Sequence, residues 1–211
     1  MDQERWNALC RRLGCRTSDE WFTTLETAYS ERHRHYHTAT HVQECLDLLD
    51  LNAGEAEHPD EIEFAIWLHD AVYAPLRKDN EERSADLAVQ WLRACGLHAA
   101  AAERIRRLII ATRHVDEPGT NDEALLLDID LGILGAAPDR FDEYEHQVRR
   151  EYRWVPSFIF RRRRAQLLES FFDREAVYRT KWFREHREEA AKRNLSRAID
   201  RASRRPDGRH S

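Results

Sequence analysis

Apolar residues recur along this chain at helical spacing, and no stretch alternates apolar and polar with period two for long enough to argue a strand. The pattern predicts a short pair of helices over 4–13 and 18–31, with Ser18 as N-cap before Asp19 and Glu20. Over 40–52, Val42, Cys45, Leu46, Leu48 and Leu49 fall at helical spacing, and Gly54 stops the run. Pro59 suits the first turn of the next helix, which is expected to reach about Val72 and to bury Ile62, Ala65, Ile66 and Leu68. Helices are predicted over 80–95, closed by Gly96, and over 98–112. The stretch 122–134 is apolar nearly all round, as a buried helix would be. Pro138 and Pro156 open helices reaching about Trp154 and Phe172, and a last helix covers about 174–200. The expectation is an all-α fold with one helical domain over 1–200. A basic tail over 201–211 has no apolar period and is expected to be disordered.

Composition agrees with that reading and narrows the function classes. Seven glycines and six prolines in 211 residues are few for an all-β fold. Charged residues make up 35% and hydrophobic ones 41%, the balance of a helical protein with charged outer faces. A net charge of −5 supplies no global basic field, so no nucleic-acid partner is expected; the run Arg161 to Arg164 reads as a solvated face. No apolar stretch reaches the roughly 18 residues of a membrane span. Met1 to Trp6 carries acidic residues and lacks a signal-peptide core. Cys10, Cys15, Cys45 and Cys95 form no CxxC pair and are read as reduced, mostly buried thiols. The expected location is therefore cytoplasmic.

Three segments place metal-ligand residue types where a helical core should be apolar. They are Tyr36-His37-Thr38-Ala39-Thr40-His41, Trp67-Leu68-His69-Asp70, and Leu127-Asp128-Ile129-Asp130-Leu131. Buried carboxylates are rare unless they are paired or hold a cation. Asp128 and Asp130 stand about 200° apart around a helix, so only one of them is expected to face a common site. Two imidazoles and two carboxylates suit Mn, Fe, Ni, Zn or Mg, and leave coordination positions open for water and substrate.

Taken in order, His41, His69-Asp70 and Asp130 resemble the HD superfamily of metal-dependent phosphohydrolases. More narrowly, the chain looks like a bacterial branch of predicted HD phosphohydrolases. The matching stretches are Arg34 to Thr38 with His41, Leu68 to Tyr73, Asp79-Asn80-Glu81 with Ser84-Ala85, and Asp128 to Leu131 with Ile133-Leu134-Gly135. The C-terminal run Leu167 to Tyr178 and Arg193-Asn194-Leu195 match as well. The resemblance implies an HD-type helical bundle that holds a divalent metal through His41, His69, Asp70 and Asp130. The Tyr36-to-His41 stretch is also similar to the metal motif of cyclic-nucleotide phosphodiesterases. That likeness implies His41 as ligand and His37 as general acid, a role open to an imidazole titrating near neutrality. The two-metal HD pattern needs two further histidines between the His-Asp pair and the last Asp; only His98 and His114 lie there, so one metal is expected.

The function expected on this footing is metal-assisted hydrolysis of a phosphoester or phosphoanhydride in a small phosphorylated molecule, a nucleotide included. Asp70 would both ligate the metal and orient the water. Glu81 is placed on the catalytic side, with Arg34, Tyr73, Asn80, Arg113 and His114 facing substrate and Arg163 as a further phosphate candidate. A metal- or nucleotide-binding sensor without turnover is the alternative, and oxygenase chemistry on two irons a weaker one. Oligomeric state stays open, a homodimer included.

Overall fold

In a computed structural model of the chain, residues 1–16 and 18–203 are described. They contain eleven α-helices and no strand, so the all-α expectation holds, and none of these helices is long and apolar enough to cross a membrane. The chain divides into two compact units, Met1–Asp130 and the part that begins at Leu131.

The first unit holds α1 (Gln3–Arg12), α2 (Asp19–Tyr29), α3 (Ala39–Asn52), α4 (Pro59–Leu68), α5 (Asn80–Ala94), α6 (Ala99–Ala111) and α7 (Asn121–Asp130). Their ends obey local chemistry. Asp2 accepts the Arg5 amide at the start of α1, and Ser18 accepts the Trp21 amide at the start of α2. Pro59 opens α4, and Gly96, at φ +73°, follows the end of α5 in the left-handed region that glycine enters without strain.

Helix α4 is the centre of this unit: every residue from Glu61 to Leu68 is buried, against α1, α3, α5, α6 and α7. Trp6 of α1 packs its ring 5.6 Å from Phe64 and 5.4 Å from Trp67. Two carboxylates on this helix are buried, and each has arginine partners. Glu63 is bridged by Arg5 and Arg12 at 2.8 and 2.6 Å, and Glu61 takes both ends of the Arg104 fork. Asp122, at the start of α7, accepts the amides of Glu57 and His58 and so ties the approach to α4.

The second unit contains a 3-10 turn (Leu131–Gly135), α8 (Pro138–Glu151), α9 (Ser157–Phe172), α10 (Lys181–His186) and α11 (Glu188–Ser203). Helix α11 packs on α9, α10 and the 3-10 turn. Phe183 is fully buried here.

The structure corrects four expectations. Helix α4 stops at Leu68 rather than near Val72. Arg34 takes the carbonyls of Asp70 and Ala71, and Ser84 takes the amide of Val72, so these groups leave the helical ladder. The predicted 122–134 helix ends at Asp130 and passes into the 3-10 turn. Residues 174–180 are not helical, because the Glu188 carboxylate accepts the amides of Val177 and Tyr178 while both side chains sink into the core. The fourth concerns the thiols: Cys15 and Cys95, 80 residues apart, are joined in a disulfide. Cys10 and Cys45 are free and buried, as expected. Spacing along the chain carries no trace of a pairing made by packing, and the argument from reduced thiols to a cytoplasmic location falls with it. Of the tail, 201–203 continue α11, while 204–211 lie outside the described residues.

Gly135 marks the tightest approach in the second unit. A Cβ there would stand 2.8 Å from the Arg187 backbone oxygen and from the Tyr178 hydroxyl, which itself donates to the Leu131 carbonyl. Gly135→Ala is therefore expected to destabilise the protein by about 1–3 kcal/mol, as overpacking does. Urea denaturation checks it; an unchanged midpoint would show that this contact yields freely.

Candidate metal centre

Three elements of the first unit bring the ligand candidates together. The N-terminal turn of α3 carries His41, the C-terminal end of α4 carries His69 and Asp70, and the last residue of α7 is Asp130. One ligand atom each from His41, His69 and Asp130 lies within 4.8 Å of the others. His41 Nε2 is 3.1 Å from His69 Nε2 and 3.1 Å from Asp130 Oδ1. Asp70 Oδ2 stands 3.2 Å from His69 Nε2 and 3.8 Å from His41 Nε2. Three of the four predicted ligands, His41, His69 and Asp130, thus form one group, with Asp70 beside its two histidines, and both histidines are buried.

Hydrogen bonding decides what those atoms offer. His69 Nδ1 lies 2.8 Å from the Ile66 carbonyl, which can only accept, so Nδ1 carries the hydrogen. In the neutral ring, Nε2 is then a lone pair aimed at two carboxylates and a second imidazole. Such a gathering of acceptors is held together by a proton or by a metal ion, and a mixed nitrogen and oxygen set of this kind fits a divalent cation. Without metal the proton is strongly favoured. Burial disfavours charge on His69, but the Asp70 and Asp130 carboxylates outweigh it and raise its pKa well above the usual imidazole range. Burial likewise opposes ionisation of Asp70 and Asp130. The histidines around them prevail, and both carboxyls titrate well below their usual range.

His114 completes the surroundings of Asp130. Its Nε2–H donates to Oδ2 at 2.8 Å, leaving Oδ1 toward His41 and His69. Its backbone sits at φ 55°, where a non-glycine residue is uncommon. Expected on the substrate side, His114 bonds Asp130 of the cluster. Asp128 is fully buried and outside the cluster, so only one member of the Asp-x-Asp pair faces the site.

The other expected residues fall into two groups. His37 stacks on Tyr73 with ring centroids 4.3 Å apart, and its charge helps to keep Asp70 ionised, so both rings flank the cluster. Glu81 is half-buried near Asp70; burial, with the Asp70 charge added, raises its pKa. By contrast, Arg34 is buried and committed. It donates to the carbonyls of Asp70, Ala71 and His37 and to Glu31, which fixes the loop after α4 rather than facing a substrate. Asn80 accepts the Ala74 amide and donates to the Ala74 carbonyl, holding the same loop. Arg113 is exposed and paired with Glu82 at 3.0 Å. Arg163 lies exposed in the second unit.

Three neighbours were not singled out from sequence. Cys45, one turn after His41, puts its sulfur 3.7 Å from Nδ1 of that ring, and burial pushes its thiol pKa well up. Its i+4 spacing from His41 was the available signal. Ser84 appeared only within a matching stretch, yet it bonds Val72 and is fully buried. The Ile66 carbonyl is backbone and leaves no mark in the sequence. No protein-family model, no curated protein and no solved structure matches the chain.

His69→Ala or Asp130→Ala should abolish stoichiometric binding of Mn or Zn, and His114→Ala should weaken it about 10–100-fold, as loss of a ligand's partner does. Titration calorimetry checks both; full affinity in His69→Ala would refute the site. The metal-free protein should also respond to pH in a defined way. A raised His69 pKa contributes stability that is complete below the ordinary imidazole pKa near 6.5 and is lost as pH rises through the raised value. Melting temperature in chelator should therefore fall on that alkaline side, and bound metal should remove much of the fall.

Proposed function

We propose that this chain is a metal-dependent phosphohydrolase of the HD type, acting on a small phosphorylated molecule of the nucleotide class. What supports the reading is the approach of His41, His69 and Asp130 to one another, with Asp70 beside both histidines. Bound there by these four residues, a divalent ion would supply Lewis-acid polarisation of a phosphoryl oxygen and a lowered pKa for water.

The remaining steps belong to side chains. Asp70 stays ionised through neutral pH and is the acceptor that orients an attacking water. His37, held against the Tyr73 ring beside Asp70, is the group that delivers a proton to the leaving oxygen. Glu81, with its raised pKa, is a second proton-carrying group on that side. Arg34 and Asn80 keep the loop after α4 in place and so position Asp70 and Tyr73.

Turnover of a nucleotide panel and a chromogenic phosphodiester with Mn present tests this directly. Phosphate or phenolate release is expected, lost in Asp70→Ala. His37→Ala should lower kcat by about 10²–10⁴ while leaving metal content intact. Saturable nucleotide binding by the metal-loaded protein, with no hydrolysis, would replace the enzyme by a sensor.

A further inference from the structure

A second concentration of unexplained chemistry lies in the second unit, at the turn from α8 to α9. Residues 149–164 hold seven arginines and a single carboxylate, Glu151, which is buried. Two of the arginines have structural partners. Arg149 donates to the carbonyls of Tyr152 and Val155 and to the Ser157 hydroxyl, and its guanidinium lies over the Phe160 ring. Arg164 is buried against Glu145 at 2.5 Å. The side chains of Arg150, Arg153, Arg161, Arg162 and Arg163 make no ion pair or hydrogen bond among the described residues.

Two large aromatic side chains stand among these cations. Trp154 is 54% exposed and Phe158 is 68% exposed. Phe158 and Arg162 are one turn apart on the same outward face of α9. The three Arg149 bonds pin the turn, so this exposure belongs to an ordered surface. Exposed aromatic side chains on a pinned turn, flanked in the chain by unpaired cations, mark an interaction site.

We propose that this turn docks on an anionic lipid bilayer, with Trp154 and Phe158 entering the headgroup region and Arg150, Arg153, Arg161 and Arg162 resting on lipid phosphates. Tryptophan favours that interface, and basic side chains are drawn to its surface potential. Between the arginines also lie the aliphatic side chains of Val155 and Ile159, both half-buried. A bilayer takes those up, whereas a stack of nucleobases takes only the two rings. The net charge of −5 over the whole chain opposes adsorption by other faces, so binding should need a strongly anionic surface and should weaken with salt. No part of this rests on the metal centre.

Co-sedimentation of the full chain with phosphatidylcholine vesicles, with and without phosphatidylglycerol, tests the proposal. Adsorption is expected only with the anionic lipid and only at low salt. Trp154→Ala/Phe158→Ala, exposed positions that leave the core intact, should reduce partitioning about tenfold or more. Arg150→Glu/Arg153→Glu should reduce it more steeply, at about fivefold or more per charge removed from the surface. Circular dichroism verifies that each variant is folded. Failure to adsorb to phosphatidylglycerol vesicles, adsorption that survives both variants, or tighter binding to a single-stranded oligonucleotide at the same salt would each overturn it.

Discussion

The hydrogen bond from His69 Nδ1 to the Ile66 carbonyl is the constraint on which the centre depends. It sets the ring's orientation and leaves Nε2 as an acceptor, inside a helical core where bare acceptors are costly. Asp70, Asp130 and His41 are then gathered around a lone pair that needs a proton or a cation. That single bond turns four polar residues, which separately would be liabilities in a buried place, into a coherent site for a positive charge.

The fold supplies the convergence through helix ends. His41 belongs to the first turn of α3, His69 and Asp70 lie where α4 stops, and Asp130 closes α7. Helix ends can aim side chains inward without sacrificing ladder bonds, because their backbone groups need outside partners in any case. Arg34, Asn80 and Ser84 provide those partners for the segment after α4. Polar groups committed to backbone thus support the polar groups that remain open to a ligand.

Much of this was legible in the sequence, for definable reasons. Helix existence followed from apolar periodicity, and Pro59, Pro138 and Ser18 marked true starts. The ligand set showed because His and Asp in apolar runs conflict with burial unless something compensates. What stayed hidden was decided by distant partners. Nothing local in 174–180 predicts that Glu188 will bind its amides, or that Cys15 will meet Cys95. The commitments of Arg34 to backbone carbonyls and of His114 to Asp130 stayed hidden for the same reason: an arginine bonded to carbonyls and one poised for phosphate look identical as letters. Glycine showed its meaning only once Arg187 and Tyr178 were seen beside Gly135.

Anomalous diffraction from crystals grown with Mn addresses the centre most directly. The account predicts a strong peak within bonding distance of His41 Nε2, His69 Nε2 and an Asp130 carboxylate oxygen, with Asp70 adjoining. A peak elsewhere on the protein, or none at these four side chains at saturating Mn, would contradict it.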